Sequence, residues 1–127
     1  MSDTEFLLTE IEPLINWDDP HGECCLISDK ITKEGFGIGY MYREEPDEGI
    51  PDSGWRFLAG NEEEAYLDNP DNLHIFVINT ACNYDKSIMP YLNAEFGTKY
   101  IKTTTDTFEI DDGTKEVFVC KLIEEEE

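Results

Sequence analysis

The sequence predicts an α+β fold: one domain whose bent, largely antiparallel sheet has about six or seven strands, with two or three short helices. Three observations predict it. Short runs rich in apolar residues recur between turn residues, as in ECCLIS, FGIGYMYR and LHIFVINT. Helical patterning is confined to brief stretches, of which NEEEAYLD is the clearest. Strands and helices do not alternate regularly, which argues against a doubly wound parallel sheet.

The elements follow in order. Phe6, Leu7, Ile11, Leu14 and Ile15 predict a short amphipathic helix from about Asp3 to Glu12, within an extension of residues 1–20 that packs on the body. DDPHG reads as a turn, ECCLIS as a buried strand, and Asp29 to Gly35 as a second turn. Phe36 to Arg43 is the next strand. Its alternating Gly35, Gly37 and Gly39 leave one face without side chains, so that another backbone or a ring can approach. The spacing G-x-G-x-G, with no helix after it, is not a dinucleotide fingerprint.

Glu44 to Gly54 forms a long acidic loop before a strand at Trp55 to Ala59. Asn61 is placed to cap a helix over Asn61–Asp68, with Glu64 completing a capping box, and Asn69-Pro70 stops it. Leu73 to Thr80 reads as a continuous apolar strand at the centre of the sheet. Asp85 or Ser87 caps a second short helix through Leu92, and Gly97 to Lys102 is a short strand. In TFEI-DDGT-KEVFVC, Asp112-Gly113 turns a hairpin in which Phe108 and Ile110 alternate against Val117 and Val119. The hairpin occupies residues 103–121, and 122–127 form an acidic tail.

Charge dominates the composition. Thirty acids against nine bases give a formal net charge of -21. Phosphate binding needs clustered Lys and Arg, so nucleic acid is excluded as a partner, and an anionic membrane would repel the chain. A basic macromolecule would be attracted. The start MSDTEFLLTE lacks a basic segment before a long apolar run, so the reading is a cytoplasmic protein. Cys24, Cys25, Cys82 and Cys120 do not form a disulfide framework and read as reduced thiols.

Both arginines lie in YMYREEPDEGIPDSGWRF, beside bulky residues and around the acidic loop. On adjacent antiparallel strands Arg43 and Arg56 would be neighbours needing carboxylates between them, and Glu44, Glu45, Asp47, Glu48 and Asp52 are within reach. Either these acids pin the arginines, or the arginines receive an anionic group from outside. Trp55, Tyr40, Tyr42 and Phe57 are types enriched at interface hot spots, and alternation turns only one of each neighbouring pair inward. His21, Cys24, Cys25 and His74 lack paired zinc spacing, and Asp18-Asp19 and Asp111-Asp112 lack a calcium loop. Cys82 with His74 has no supporting motif, and Glu44-Glu45 diverge too much for shared acid-base work. No catalytic residue, metal or cofactor is predicted.

The order SDKIT, GYMYRE, then DSGWRF with AGNEE shortly after, resembles a bacterial domain family classed among polymorphic-toxin immunity proteins as immunity family thirty-three. The resemblance runs from about Cys25 to Lys102, and the insertion EGI before PDSGW lengthens the loop relative to the family pattern. It implies a cytosolic, non-catalytic protein that binds and silences a cognate toxin delivered by a neighbouring cell. The expected binding residues are Tyr42, Arg43, Glu44, Glu45, Asp47, Glu48, Asp52, Trp55, Arg56, Glu62 and Glu63. The motif residues from Tyr42 to Arg56 are alternatively the family's structural signature, with contacts falling to the acids at 45–50 and 61–64. The competing functional reading is a small-anion-binding regulatory module that uses Arg43 and Arg56.

Overall fold

Alternation along the strands decides which side of the sheet is covered. The computed structural model describes residues 6–8, 10–18, 22–47, 49 and 51–123. Its strands are β1 (Cys24–Ser28), β2 (Tyr40–Arg43), β3 (Asp52–Leu58), β4 (Leu73–Val77), β5 (Lys99–Lys102) and β6 (Phe108–Ile110). They lie in the order β4-β1-β3-β2-β5-β6. Only β1 with β3 is parallel, so the predicted α+β class and largely antiparallel sheet are correct.

Register then sorts the side chains. His74, Ile27, Phe57, Met41 and Tyr100 form one row across five strands. Ile27, Phe57 and Met41 in that row are fully buried. They share a core with Ile31 of α1 (Asp29–Thr32), with Ile78, Ala81 and Cys82 of α3 (Ile78–Tyr84), and with Ile88 of a 3₁₀ helix at Lys86–Tyr91. Each large apolar side chain so buried is worth about 1.5–3 kcal/mol. One residue along, Ile75, Leu26, Arg56, Tyr42 and Lys99 make the matching row on the opposite face. None of those five is fully buried. One face of the sheet is therefore roofed by helices and the other is largely open.

Several local expectations are corrected. Among the described residues of the predicted helix at 3–12, namely 6–8 and 10–12, the backbone is irregular; the rest lie outside the described residues. Pro13 limits a helix here, and α3 supplies the missing partners. The Asn79 carboxamide oxygen accepts from Leu14 and Ile15 N–H, and the Asn79 and Asn83 side chains donate to Glu12 C=O. Asn79 and Asn83 are four apart, so one helix face holds the whole segment. The turn expected at Asp29 to Gly35 begins with the single helical turn α1, capped by Ser28, whose Oγ accepts from Lys30 N–H. The turn expected at 18–22 falls mostly outside the described residues, as does the acidic tail.

The strand expected from Phe36 starts only at Tyr40. Before it, the chain pairs with the C-terminal segment: Gly37 N–H donates to Cys120 C=O, and Leu122 N–H to Gly35 C=O. The glycines allow this as the sequence implied. A Cβ on Gly35 would strike the Ile123 carbonyl, and one on Gly39 the Ala59 carbonyl. The C-terminal hairpin is not formed as expected. β6 pairs with β5, and Phe118 N–H donates to Lys102 C=O, so the return segment crosses the sheet end instead of running back along β6.

Two further corrections concern placement. Helix α2 is Glu64–Asp68, and Asn61 does not cap it. Glu62 instead accepts from Ala59 and Gly60 N–H, which closes the turn after β3. The expected central strand Leu73–Thr80 is an edge strand ending at Val77, where α3 begins. Ile78, Ala81 and Cys82, spaced three and four apart, bury one helical face, a period the apolar run concealed.

Candidate functional site

The motif DSGWR is the first part of β3, which begins at Asp52 and not at the expected Trp55, and each of its residues has a local task. Asp52 accepts from Gly54 N–H, and Gly54 takes a φ of 91°, which only glycine adopts readily. A Cβ there would meet the Glu44 carbonyl, whose own N–H donates to Gly54 C=O. Ser53 Oγ donates to Cys24 C=O and accepts from Trp55 N–H, tying the parallel pair β1–β3 at its irregular end. Trp55 is fully buried, stacked on Phe57 at 5.8 Å, and donates its indole N–H to Leu92 C=O.

The two arginines go to opposite faces. Arg43 is only 6% exposed. Its Nε donates to Ser53 C=O at 2.9 Å and its Nη1 to Ala94 C=O at 2.8 Å. Its guanidinium lies 4.6 Å from the Phe96 ring centroid and 5.5 Å from that of Trp17. Arg56 sits on the open face, held by both Asp52 oxygens at 3.0 and 2.7 Å and by Glu44 at 3.2 Å. The pinning foreseen in the sequence is thus met by Arg56. Both guanidinium groups are committed within the fold, which removes the basis for an anion-binding module built on them.

The Arg56 bonds hold the Asp52 carboxyl below the ordinary 3.8 of an aspartate, against the opposing effect of burial. A depressed folded-state pKa gives stability that is complete above 3.8 and is lost as pH falls through the lower folded value. Asp52→Asn is expected to cost about 1 kcal/mol at neutral pH, since the pair is partly solvent-screened. Its deficit against the native chain should shrink as pH drops below 3.8, as urea denaturation would show. A deficit independent of pH would remove the ion pair as its cause.

The remaining expected residues divide clearly. Tyr42 is half-buried on the open face, and burial, then the Glu44 charge, pushes its hydroxyl pKa up. Glu45 and Asp47 are exposed and enter no ion pair among the described residues. Glu63 is exposed at the start of α2, Glu62 is spent on the turn, and Glu48 lies outside the described residues. Tyr42, Arg43, Glu44 and Glu45 line an open groove of about 380 Å³ with Phe96, Gly97 and Lys99. Sequence reasoning missed those last three. The available signal was the GTKYIK strand, because Lys99 pairs with Tyr42 across the ladder.

Other chemistry is engaged elsewhere. His74 Nδ1 lies 2.7 Å from Asp29, and burial lifts the Cys82 thiol to about 11, well away from a reactive thiolate. All four cysteines are free thiols. Among the described residues, no group of three or more His, Cys, Asp or Glu is placed to hold a metal ion, and no helix is long and apolar enough to cross a membrane.

Fold and site together define a small α+β domain that buries Arg43, neutralises Arg56 with Asp52 and Glu44 on the open face, and leaves Glu45, Asp47 and Tyr42 facing outward. The chain belongs to the family described as the immunity protein Imm33 domain, whose model matches residues 25–111. That match extends past the span carried by the sequence motifs, through β6 to Asp111. No curated protein and no solved structure matches the chain.

Proposed function

We propose that this chain is a non-catalytic immunity protein of the bacterial cytoplasm that binds and silences a basic cognate toxin through its acidic loop. Family membership supports the immunity role. The observation that carries the surface is exposed Glu45, which lines the groove with the half-buried Tyr42, together with exposed Asp47 two residues along the loop, in a chain of net charge -21. Glu44 and Asp52 contribute less because Arg56 already neutralises them. Trp55 and Arg43 act from beneath, fixing the loop's two ends. Glu63 extends the negative field along the start of α2.

Rim carboxylates act mainly on the encounter rate with a cationic partner. The double substitution Glu45→Lys and Asp47→Lys is expected to slow association with the purified toxin encoded beside this gene by about tenfold at low salt. The difference should narrow as salt rises, because exposed charges are screened over about 10 Å at 0.1 M. Surface plasmon resonance across a salt series reads both effects. Failure of the native chain to bind that toxin, and to rescue cells expressing it, would end the proposal.

A further inference from the structure

Strand β4 closes one side of the sheet, and no other described strand pairs with its outer edge. The register pairs Cys24 with Val77 and Leu26 with Ile75. Ile78 N–H donates to Glu23 C=O, directly opposite, so the hydrogen-bonded pairs with β1 are those of Phe76 and His74. Cys24 confirms the phase from the other side, since its N–H and C=O both turn toward β3 and the loop before it. The N–H and C=O of Ile75 and the N–H of Val77 therefore point away from β1 and find no backbone partner among the described residues, whereas Val77 C=O, at the N-cap of α3, takes the first hydrogen bond of that helix.

The side chains on this edge are also unusual. Ile75 is 72% exposed and Val77 39% exposed, both on the open face beside Leu26 and Cys24. Monomeric proteins blunt such edges with lysine, proline or bulges, and LHIFV contains none of these. What guards the edge against a second copy is charge. Two chains of -21 each repel at contact, whereas a cationic strand is drawn in. Exposed acids stand at both ends of β4: Glu23 opposite Ile78, and Asp71 just before Leu73.

We infer that β4 is a strand-addition site: a β-strand of the cationic toxin pairs with the Ile75–Val77 edge, extending the sheet to a seventh strand. This rests on the proposed toxin-binding role and specifies its docking geometry. The added strand places apolar side chains against Ile75 and Val77 and lysine or arginine at its two ends, near Glu23 and Asp71. Main-chain hydrogen bonds supply affinity, and the alternate side chains supply choice of partner. From β4 the row Ile75, Leu26, Arg56, Tyr42 leads to the acidic loop across four strands, about 15 Å at the usual strand spacing. A partner of ordinary interface size reaches both.

The test is amide hydrogen exchange on the full chain, alone and with the purified, catalytically disabled toxin encoded beside its gene. The inference expects the Ile75 and Val77 amides to exchange at least about tenfold more slowly in the complex. It also expects Ile75→Lys, at a site open enough to leave thermal stability unchanged, to weaken binding by at least about tenfold. Ile75→Thr, which keeps the branched shape, should weaken it less. If the toxin binds with those amides unprotected and Ile75→Lys is neutral, strand addition is wrong while toxin binding stands. If the toxin does not bind, both fail. If sedimentation shows a dimer that Ile75→Lys dissociates, the occupant is a second copy and the inference is overturned.

Discussion

Lys102→Met is expected to destabilise the protein by about 3–5 kcal/mol, because it strands a buried carboxylate. Lys102 is fully buried, and its Nζ lies 2.6 Å from Asp85 Oδ2. The same Asp85 oxygen accepts from Ile38 N–H at 2.9 Å, and its other oxygen accepts from Ser87 at the start of the 3₁₀ helix. One carboxylate thus joins β5, the chain before β2 and the 3₁₀ helix that roofs the covered face. Methionine fills the volume but leaves the negative charge without its counterion. Asp85→Asn added to Lys102→Met should recover part of the loss, since a neutral amide oxygen still accepts from Ile38 or Ser87. Urea denaturation of both single variants and the double variant gives the coupling directly. A single-variant loss below about 1 kcal/mol would mean the charge is hydrated or the pair is not closed in solution.

That ion pair marks where sequence reading ended. KYIK reads as a strand, and its first lysine is exposed as lysines usually are, while its last is not. Nothing local distinguishes Lys99 from Lys102; the partner is seventeen residues away at Asp85. Elements whose signals are local were legible: the Asp85 cap carries its cause in Ser87, and the alternating glycines of Gly35 to Gly39 announce a close approach. The start of β3 at Asp52 was not, since Asp52, Ser53 and Gly54 read as the end of the acidic loop. LHIFVINT was misread because a buried strand and one face of a short helix look alike over so few residues. Its position at the edge was not legible at all, since strand order depends on pairing across the whole sheet. At the site, the sequence brought Arg56 to its acids correctly, and alternation warned that Tyr42 and Arg43 must part. Which of the two faced outward required the register.

Trp55→Ala is expected to cost about 3–5 kcal/mol, and the loss should appear in folding and not in recognition. Tryptophan beside arginine at a loop is a residue pattern of interface anchors, and from sequence alone Trp55 fits either that role or the core. In the fold it is fully buried, stacked nearly parallel on Phe57 with 11° between the rings, and donates to Leu92 C=O at 3.1 Å. Truncation removes the stacked ring, opens a cavity between β3 and the segment at Leu92, and leaves that carbonyl without its donor. Trp55→Phe separates the terms, keeping a ring while losing the N–H, and should cost about 1–3 kcal/mol. Because the motif SGWRF also sets the course of the acidic loop, affinity must be compared only between folded samples. In Trp55→Phe at temperatures well below its midpoint, toxin affinity should match the native chain. A tenfold loss of affinity with unchanged denaturation would return Trp55 to the docking surface and place the toxin against the helix-covered face, where neither the acidic loop nor the β4 edge would decide recognition.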